Sequence, residues 1–281
     1  MLNRKIDNEI DAHFSNSKKA LFLTGARQVG KTYSIRKYAK LHGLNLIEFN
    51  FLLQPEAMDI INGAGDVKEL LLRISAYSRV PLVRSKTLIF FDEVQECPDV
   101  MTWVKALVDE GSYIYALSGS LLGVELKDIR SVPVGYMSEM QVYPMDFEEF
   151  VSAVGVPENV LDAVKKSWSE KTLVDAYIHE KMMQLFQLYI IVGGMPAAVQ
   201  TYMDSNNIQN VVKEQRDIIN LYKKDIARYD QDVRKKLYID EVFDLIPSEL
   251  NAKNKRFILK RLNENMTFGR HENDFIWLKD A

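Results

Sequence analysis

The sequence predicts an α/β protein, with a five-stranded parallel sheet at its core and a helical lid after it. Three observations support this prediction. Short apolar runs alternate with amphipathic stretches, and a glycine-bounded loop joins the first run to a helix-forming stretch. After Pro144, most apolar residues recur at helical spacing. We therefore expect a sheet-based core over residues 1–155, a helical lid over 156–230 and a smaller region over 231–281.

The apolar runs predict the elements of this fold. Strands are expected at Ala20–Leu23, Leu44–Asn50, Thr87–Glu93, Tyr113–Leu117 and Glu139–Pro144. Helices are expected at Leu2–Phe14, Thr32–Leu41, Pro55–Ile61, Val67–Val80, Met101–Val108, Phe147–Val154, Ala163–Ser169, Leu173–Ile191, Ala197–Met203 and Ile208–Tyr229. The first helix carries an apolar residue at every fourth position, so we expect it to lie against the first strand.

Composition excludes several classes of protein. The chain of 281 residues has a formal net charge of -3, which argues against a globally basic nucleic-acid binder. Its single cysteine, Cys97, allows no internal disulfide and favours a reducing compartment. The N-terminus lacks the apolar segment of a secretion signal, and no apolar run approaches the roughly 18 residues of a membrane span. We expect a soluble, cytoplasmic protein that does not enter a membrane.

The loop after the first strand has the sequence of a phosphate-binding loop. Its eight residues fit the pattern G-x-x-x-x-G-K-[ST] at every fixed position. Backbone N–H groups at the start of the following helix, together with the helix dipole, form a cradle for a triphosphate. The lysine reaches the β- and γ-phosphates, and the threonine hydroxyl offers a ligand for Mg²⁺. We expect nucleotide contacts from Gly25, Ala26, Arg27, Gln28, Val29, Gly30, Lys31, Thr32 and Tyr33.

Two carboxylates, Asp92 and Glu93, end the third predicted strand. Ligands of open α/β sheets bind at the C-terminal ends of the strands, so the carboxylates and the phosphate loop should meet at one edge. We expect Asp92 to hold Mg²⁺ together with Thr32. Glu93, on the opposite side of the pleat, is then placed to activate the attacking water, with Lys31 as a second catalytic residue. The alternative is that both carboxylates merely end a strand.

Polar residues also follow the fourth strand, as Ser118-Gly119-Ser120. Ser118 and Ser120 are predicted catalytic residues, because a hydroxyl at this position can sense the γ-phosphate or hold the water. The alternative is that these serines cap the next turn. Arg130, in the next connection, is a candidate for an arginine that reaches a neighbour's nucleotide, although a surface arginine can equally be solvated.

The spacing of these motifs favours ATP over GTP. One further strand, within Leu44–Asn50, separates the phosphate loop from Asp92 along the chain, as in P-loop ATPases with an extra strand and a catalytic glutamate. The sequence contains no N-K-x-D motif for reading guanine. We therefore expect ATP and Mg²⁺ as ligands.

Further motifs extend along most of the chain in a fixed order. They are F-F-D-E-V-Q, S-G-S, Y-P-M-D-F-E-E-F at Tyr143–Phe150, G-G-M-P at Gly193–Pro196, Tyr222-x-x-Asp225-Ile226-x-x-Tyr229 and Phe243-x-x-Ile246-Pro247-Ser248-x-Leu250. Together with the phosphate loop, they resemble the prokaryotic AAA-type ATPase family whose members carry an uncharacterised C-terminal domain. This resemblance implies an ATPase core, a helical lid, a small winged-helix-like region and then a nuclease-like domain.

Two departures from the family limit what the resemblance implies. The apolar run that begins at Phe275 stops at Ala281, so we expect this chain to be a fragment that ends before the nuclease-like domain, and we carry over no nuclease activity. Relatives often have Gly-Arg where this sequence has Gly135-Tyr136, so an arginine finger is not expected there.

The leading hypothesis is a Mg²⁺-dependent, ATP-hydrolysing molecular switch whose lid transmits the nucleotide state to a C-terminal domain or a partner. The alternative is a DNA-binding or scaffold module that uses nucleotide only structurally. Lys253, Arg256 and Lys260 share a face of a predicted helix within 251–262, where DNA could bind, although a solvated face explains the same pattern. A protein partner or self-association remains open. A small-molecule kinase ranks last, because no acceptor pocket is recognisable.

Two remaining features have simpler interpretations. Gly193-Gly194-Met195-Pro196 is interpreted as a tight corner between helices, with a hinge in the lid as the alternative. Cys97 has no histidine near it in sequence and is expected to be a packed thiol.

Overall fold

The structure is a computed structural model that describes residues 2–119, 135–229 and 233–252. The chain divides into two compact units, residues 1–206 and 207–281. The predicted boundaries at 155/156 and 230/231 remain predictions.

A five-stranded, fully parallel sheet forms the centre of the first unit, which confirms the predicted fold class. Its strands are β1 (Ala20–Thr24), β2 (Asn45–Asn50), β3 (Thr87–Asp92), β4 (Ile114–Ser118) and β5 (Met137–Gln141). The order across the sheet is β2-β3-β4-β1-β5. Along the chain β2 separates the phosphate loop from Asp92, but in the sheet the strand between β1 and β3 is β4.

The last strand differs from its predicted position of Glu139–Pro144. Pairing with β1 sets its limits, because Ala20 lies opposite Met137 and Thr24 lies opposite Gln141. Pairing with β1 therefore decides where β5 ends. The apolar pattern continues to Val142 because the Val142 side chain is buried in the core, although that residue lies beyond the strand.

Helices cover both faces of the sheet and follow it in the chain. They are α1 (Lys5–Asn16), α2 (Lys31–Leu41), α3 (Met58–Asn62), α4 (Val67–Tyr77), α5 (Val100–Glu110), α6 (Phe147–Ala153), α7 (Glu158–Glu170), α8 (Ala176–Val192), α9 (Pro196–Ser205), α10 (Ile208–Tyr229) and α11 (Val233–Asn251). Short 3-10 turns at Pro55–Ala57 and Val94–Glu96 complete the described elements. Helix α7 begins directly after Pro157, whose fixed φ suits the entry to a helix, and is longer than predicted.

The core consists of two clusters, one on each face of the sheet. Alternate residues of β3 divide between them, because successive side chains of a strand point to opposite faces. Ile89 and Phe91 pack with α4 and α5 on one face of the sheet. Cys97 is buried in the same cluster, as expected, and burial raises the pKa of its thiol to about 11. Leu88 and Phe90 join α1 and α2 on the other face. The predicted packing of the first helix against the first strand is confirmed there.

The second unit is described over α10 and α11. The Lys223 ammonium joins these helices, at 2.6 Å from Asp244 and 3.5 Å from Asp240. Helix α11 continues through Pro247. The remainder of the predicted winged-helix-like region, including Lys253, Arg256 and Lys260, lies outside the described residues.

Candidate nucleotide site

The phosphate loop leaves β1 in a conformation that only glycine can adopt. Gly25 has a φ of +131°, and a Cβ placed on it would lie 2.2 Å from the carbonyl oxygen of Val142. Gly30, at the other end, has a φ of +103° and directly precedes α2. Gln28 is left-handed as well, with a φ of 63°. The loop backbone therefore turns sharply and packs closely against the backbone at Val142, just after β5. The two glycines of the motif predict such a turn.

Lys31 is buried beneath this loop, with a relative exposure of 5%. Its ammonium donates to the carbonyl oxygens of Gly25 at 2.7 Å and Ala26 at 2.9 Å. Burial lowers the pKa of Lys31, an effect that the charges of Glu93 and Asp92 oppose. The lysine is therefore held inside the loop by neutral acceptors, which are weaker partners for an ammonium than an anionic phosphate.

Asp92 is the centre of a polar cluster at the C-terminal edge of the sheet. Its Oδ2 accepts hydrogen bonds from the Thr32 hydroxyl at 3.0 Å and the Asn50 amide at 2.9 Å, and its Oδ1 accepts one from the Ser118 hydroxyl. Burial raises the pKa of Asp92, and the charge of Glu93 adds to this effect, while the bonds from Ser118 and Thr32 oppose it. The ends of β2, β3 and β4 and the start of α2 thus meet at one carboxylate.

Glu93 does not continue the pleat of β3. The strand ends at Asp92, and Glu93 has a left-handed backbone, with φ 58° and ψ 51°. The prediction that it faces away from Asp92 by strand alternation is therefore wrong in its reason, because alternation applies only within extended backbone. Its Oε2 instead accepts a hydrogen bond of 2.5 Å from the side-chain amide of Gln95. The sequence pattern does not predict this bond.

The other predicted site residues are distributed around the loop. The Ser118 hydroxyl donates to the Asp92 carboxylate, and its catalytic role remains a prediction. Val29 buries its side chain in the core, and Tyr33 is 44% exposed beside the loop. Tyr136, where relatives often have arginine, lies under the ammonium of Lys105, 5.4 Å from its ring centre. Ser120 and Arg130 lie outside the described residues.

A cavity of about 280 Å³ adjoins the loop at Gln28 and Gly30. It is lined by Leu2, Arg4, Gln28, Gly30, Tyr33, Ser34, Pro196 and Gln200. Ser34 is 2% exposed, and its hydroxyl has no hydrogen-bond partner within the described part of the chain. Only Gln28, Gly30 and Tyr33 of this lining were predicted. Ser34 lies one residue beyond the predicted contacts, and Leu2, Arg4, Pro196 and Gln200 come from both ends of the first unit.

The Gly193-Gly194-Met195-Pro196 corner brings two of those residues to the cavity. A Cβ on Gly194 would lie 2.2 Å from the carbonyl oxygen of Met145, and the Met145 N–H donates to the Gly194 carbonyl at 2.7 Å. The Tyr189 hydroxyl donates to the Met145 carbonyl at 2.8 Å. The corner is therefore tight, and the glycine allows two backbones to touch, while a hinge remains a prediction.

The donor set at Thr32 and Asp92 fits a hard divalent cation. A hydroxyl and a carboxylate lie 3.0 Å apart, and Mg²⁺ is bound in proteins by one or two such oxygen ligands, substrate phosphates and water. No cluster of three or more histidine, cysteine, aspartate or glutamate side chains suited to a metal occurs among the described residues. Within the described ranges of the chain, no single helix is long and apolar enough to cross a membrane. The bent pair α8–α9 is long and apolar enough only when its two helices are counted together.

Family models match two parts of the chain. Residues 17–151 match an AAA domain, and residues 183–281 match a domain of unknown function. The first match spans β1 to α6 and contains the phosphate loop, Asp92 and Ser118. The second agrees with the expected uncharacterised C-terminal domain, although it begins within α8, and nothing in it bears on nuclease activity. No curated protein matches the chain in sequence.

Solved structures are similar to this chain at low sequence identity. A Walker-type ATPase of Pyrococcus abyssi matches with a TM-score of 0.60 and 15% identity, over 100% of this chain and 89% of that chain. AMPPCP-bound DnaA from Aquifex aeolicus matches with a TM-score of 0.42 and 12% identity, over 98% of this chain and 85% of that chain. The second score is too low to support an argument, and the first shows the fold alone.

The family match, the sheet order and the loop geometry agree with the resemblance seen in the sequence. Residues 17–151 match the AAA domain of P-loop ATPases, and a match to a domain of unknown function follows in the same chain.

Proposed function

We propose that this chain hydrolyses ATP with Mg²⁺ and uses its nucleotide state to act on its C-terminal region or on a partner. The observation that carries the proposal is the contact between the two halves of the site. The Thr32 hydroxyl, at the end of the phosphate loop, lies 3.0 Å from the carboxylate of Asp92. Loop and carboxylates therefore act on one ligand at one edge of the sheet.

Triphosphate binding is assigned to the loop and the start of α2. Free backbone N–H groups at a helix N-terminus can cradle an anion, and the helix dipole favours its charge. Lys31 would exchange its two carbonyl partners, Gly25 and Ala26, for phosphate oxygens. The cavity beside Ser34 is assigned to the nucleoside, and the buried, unpartnered hydroxyl of Ser34 offers it a hydrogen bond.

Thr32 and Asp92 are the residues that would hold Mg²⁺. The bound ion would neutralise charge on the β- and γ-phosphates. Asn50 and Ser118 keep the Asp92 carboxylate in one orientation, since both donate to it. Asp92 thus has a fixed direction before any ligand arrives.

Glu93 is assigned as the general base. Its carboxylate accepts a proton from water while the water oxygen bonds to the γ-phosphorus, and the bond from that phosphorus to the bridging oxygen breaks to release ADP. The left-handed backbone at Glu93 supports a functional role, because non-glycine residues adopt this conformation rarely and at a cost in stability.

The test is Mg²⁺-dependent ATP hydrolysis by the purified chain beside Glu93→Gln and Lys31→Ala. We expect Glu93→Gln to lose about a hundredfold or more in turnover while it retains ATP, because only the base is removed. Lys31→Ala should lose both ATP turnover and ATP binding. Binding without turnover in the parent would reduce the proposal to a nucleotide-dependent switch that needs a partner.

The same preparation tests the alternative of a DNA-binding or scaffold module. That function predicts salt-dependent DNA affinity that falls when Lys253, Arg256 and Lys260 are changed together, with no ATP turnover to lose. A cytoplasmic location remains a prediction from the sequence, as does self-association.

A further inference from the structure

Arg4 is a buried arginine that touches the phosphate loop from outside the family's motifs. Its side chain is 6% exposed, and three of its nitrogens donate hydrogen bonds. Nη1 bonds to the Val29 carbonyl at 2.9 Å, Nη2 to the Tyr143 carbonyl at 2.7 Å and Nε to the Glu149 carboxylate at 3.0 Å. One guanidinium therefore joins the loop, the segment after β5 and helix α6.

The bond to Val29 determines the direction of a phosphate-loop amide. The peptide between Val29 and Gly30 is planar, so its N–H points away from its carbonyl. Because Arg4 holds the Val29 carbonyl, it also turns the Gly30 N–H to the opposite side, away from the guanidinium. Gly30 has no side chain to restrict this peptide, and its φ of +103° lies in a region where glycine moves freely.

Glu149 connects the same guanidinium to the first turn of α6. Its Oε1 accepts from the Lys5 N–H at 2.7 Å as well as from Arg4, and its Oε2 accepts from the Asp146 N–H at 3.0 Å. Glu149 is thus the third residue of the capping box that begins α6. A rotation of α6 that moved Glu149 would pull on the residue that holds the loop.

We propose that Arg4 is a positioning residue of the nucleotide site, which orients the Gly30 N–H for phosphate and, through Glu149, couples the loop to α6. This inference rests on the proposed nucleotide function and adds to it the physical link between the loop and the helical part. Arg4 itself need not touch the nucleotide. Its geometry also explains why arginine is needed, since lysine has one nitrogen and cannot reach three separate acceptors in a plane.

An ion pair between α1 and α2 provides a matched control. The Lys37 ammonium, on α2, bonds to Asp7 on α1 at 2.7 Å, and these side chains are 9% and 18% exposed. This ion pair resembles Arg4–Glu149 in chemistry but is not bonded to a loop carbonyl. Lys37→Met therefore measures the loss of a partly buried ion pair that does not touch the loop, while Asp7 Oδ2 keeps its hydrogen bond of 3.0 Å from the Arg4 backbone N–H.

The experiment compares the parent, Arg4→Met, Lys37→Met and the double variant Arg4→Met with Glu149→Gln. Arg4→Met alone leaves Glu149 buried without its cation and can unfold the chain, whereas the double variant removes both charges and keeps an acceptor oxygen for Lys5. Equilibrium binding of a fluorescent ATP analogue and thermal unfolding are measured on each. Hydrogen exchange at the α6 amides, with and without ATP, reports the coupling.

We expect the folded double variant to bind the ATP analogue about tenfold more weakly than the parent, whereas Lys37→Met binds like the parent after a similar loss of stability. ATP should protect α6 amides in the parent but not in the double variant. A KM raised with kcat nearly unchanged is the matching kinetic result, because the loop amide binds ground state and transition state alike.

Two results overturn the inference while leaving the proposed function intact. One is a folded double variant with the parent's affinity for the analogue, and the other is equal loss of affinity in Lys37→Met. If the parent itself binds no ATP analogue, the proposed function fails first, and the inference fails with it.

Discussion

The two sides of the phosphate loop are held by different kinds of contact. On the sheet side, Gly25 lies against the backbone at Val142, and Thr32 bonds to Asp92. On the helical side, Arg4 holds Val29 through a side chain whose partner, Glu149, is 145 residues away in sequence. The first side depends on backbone geometry and strand ends, the second on one buried ion pair.

This difference separates the chemistry of the site from its control. Strand ends in a parallel sheet are fixed by a ladder of backbone hydrogen bonds, so Asp92 cannot move without disturbing the fold. The helical side can shift without breaking the sheet, since its link to the loop consists of side-chain bonds. We therefore expect changes on the sheet side to abolish function and changes on the helical side to modulate it.

The largest effect is expected from Gly25→Ala on the sheet side. The new Cβ would lie 2.2 Å from the Val142 carbonyl oxygen, and a φ of +131° is strained for any L-residue. We expect a loss of roughly 3 kcal/mol or more in the free energy of unfolding, and loss of ATP binding in any folded fraction. Denaturant unfolding measures the first and analogue binding the second.

Gly43→Ala is the control for this variant. Gly43 also has a positive φ, of +61°, but a Cβ there would meet nothing within 4 Å. Gly43→Ala should lower the free energy of unfolding by only about 1 kcal/mol, which is the strain of a left-handed backbone at a non-glycine residue. Equal losses in the two variants would show that the contact with Val142 does not hold the loop.

A pH-dependent effect is expected from Asp92→Asn. The pKa of Asp92 is raised above its ordinary value of 3.8, chiefly by burial, so the folded state binds a proton at Asp92 more tightly than the unfolded state does. The contribution of Asp92 to stability is then fully present below the unfolded pKa and is lost as pH rises through the folded pKa. Relative to Asp92→Asn, the parent should therefore gain stability as pH falls from 7 towards 4.

Denaturant unfolding of both proteins at several pH values measures this difference, because carboxylates common to both cancel. A difference that stays constant, or one that moves against the parent on acidification, would contradict the assigned burial of the charge. At neutral pH, ATP with Mg²⁺ should raise the thermal midpoint of the parent but not that of Asp92→Asn.

The smallest effect is expected on the helical side, from Tyr189→Phe. The change removes one hydrogen bond of 2.8 Å to the Met145 carbonyl and leaves the ring contacts with Phe147 and Phe150. We expect about 1 kcal/mol of lost stability and unchanged affinity for ATP. Tyr177→Phe, at a 68% exposed tyrosine of the same helix, should change neither quantity.

The same comparison explains what the sequence could predict. The loop, Thr32 and Asp92 were predictable because a strand, a glycine-bounded loop and a helix are local features, and strand ends of a parallel sheet meet at one edge. The Asn50 bond to Asp92 was not predicted, because an asparagine at the end of a strand is equally typical of the turn that follows. The left-handed backbone of Glu93 was not predicted, because a single residue in this conformation does not change the pattern of apolar residues.

Arg4 and Glu149 were not predictable from the sequence. Arg4 looks like an ordinary charged residue at the start of an amphipathic helix, and Glu149 is one of several acids in the Tyr143–Phe150 motif. Only folding brings the two side chains within 3.0 Å. The position of β4 between β1 and β3 has the same cause, since strand order is a long-range property. The helical corner was recognised from its glycines, but its contact with Met145 depends on tertiary packing.

Calorimetric titration of ATP into the parent and Lys31→Ala, with Mg²⁺ present, tests the central claim most directly. Lys31 is the cation that the loop holds ready for phosphate, so the parent should bind one ATP per chain and Lys31→Ala at least tenfold more weakly. Equal affinity in the two proteins would contradict the account, because ATP would then bind somewhere other than the loop between Gly25 and Thr32.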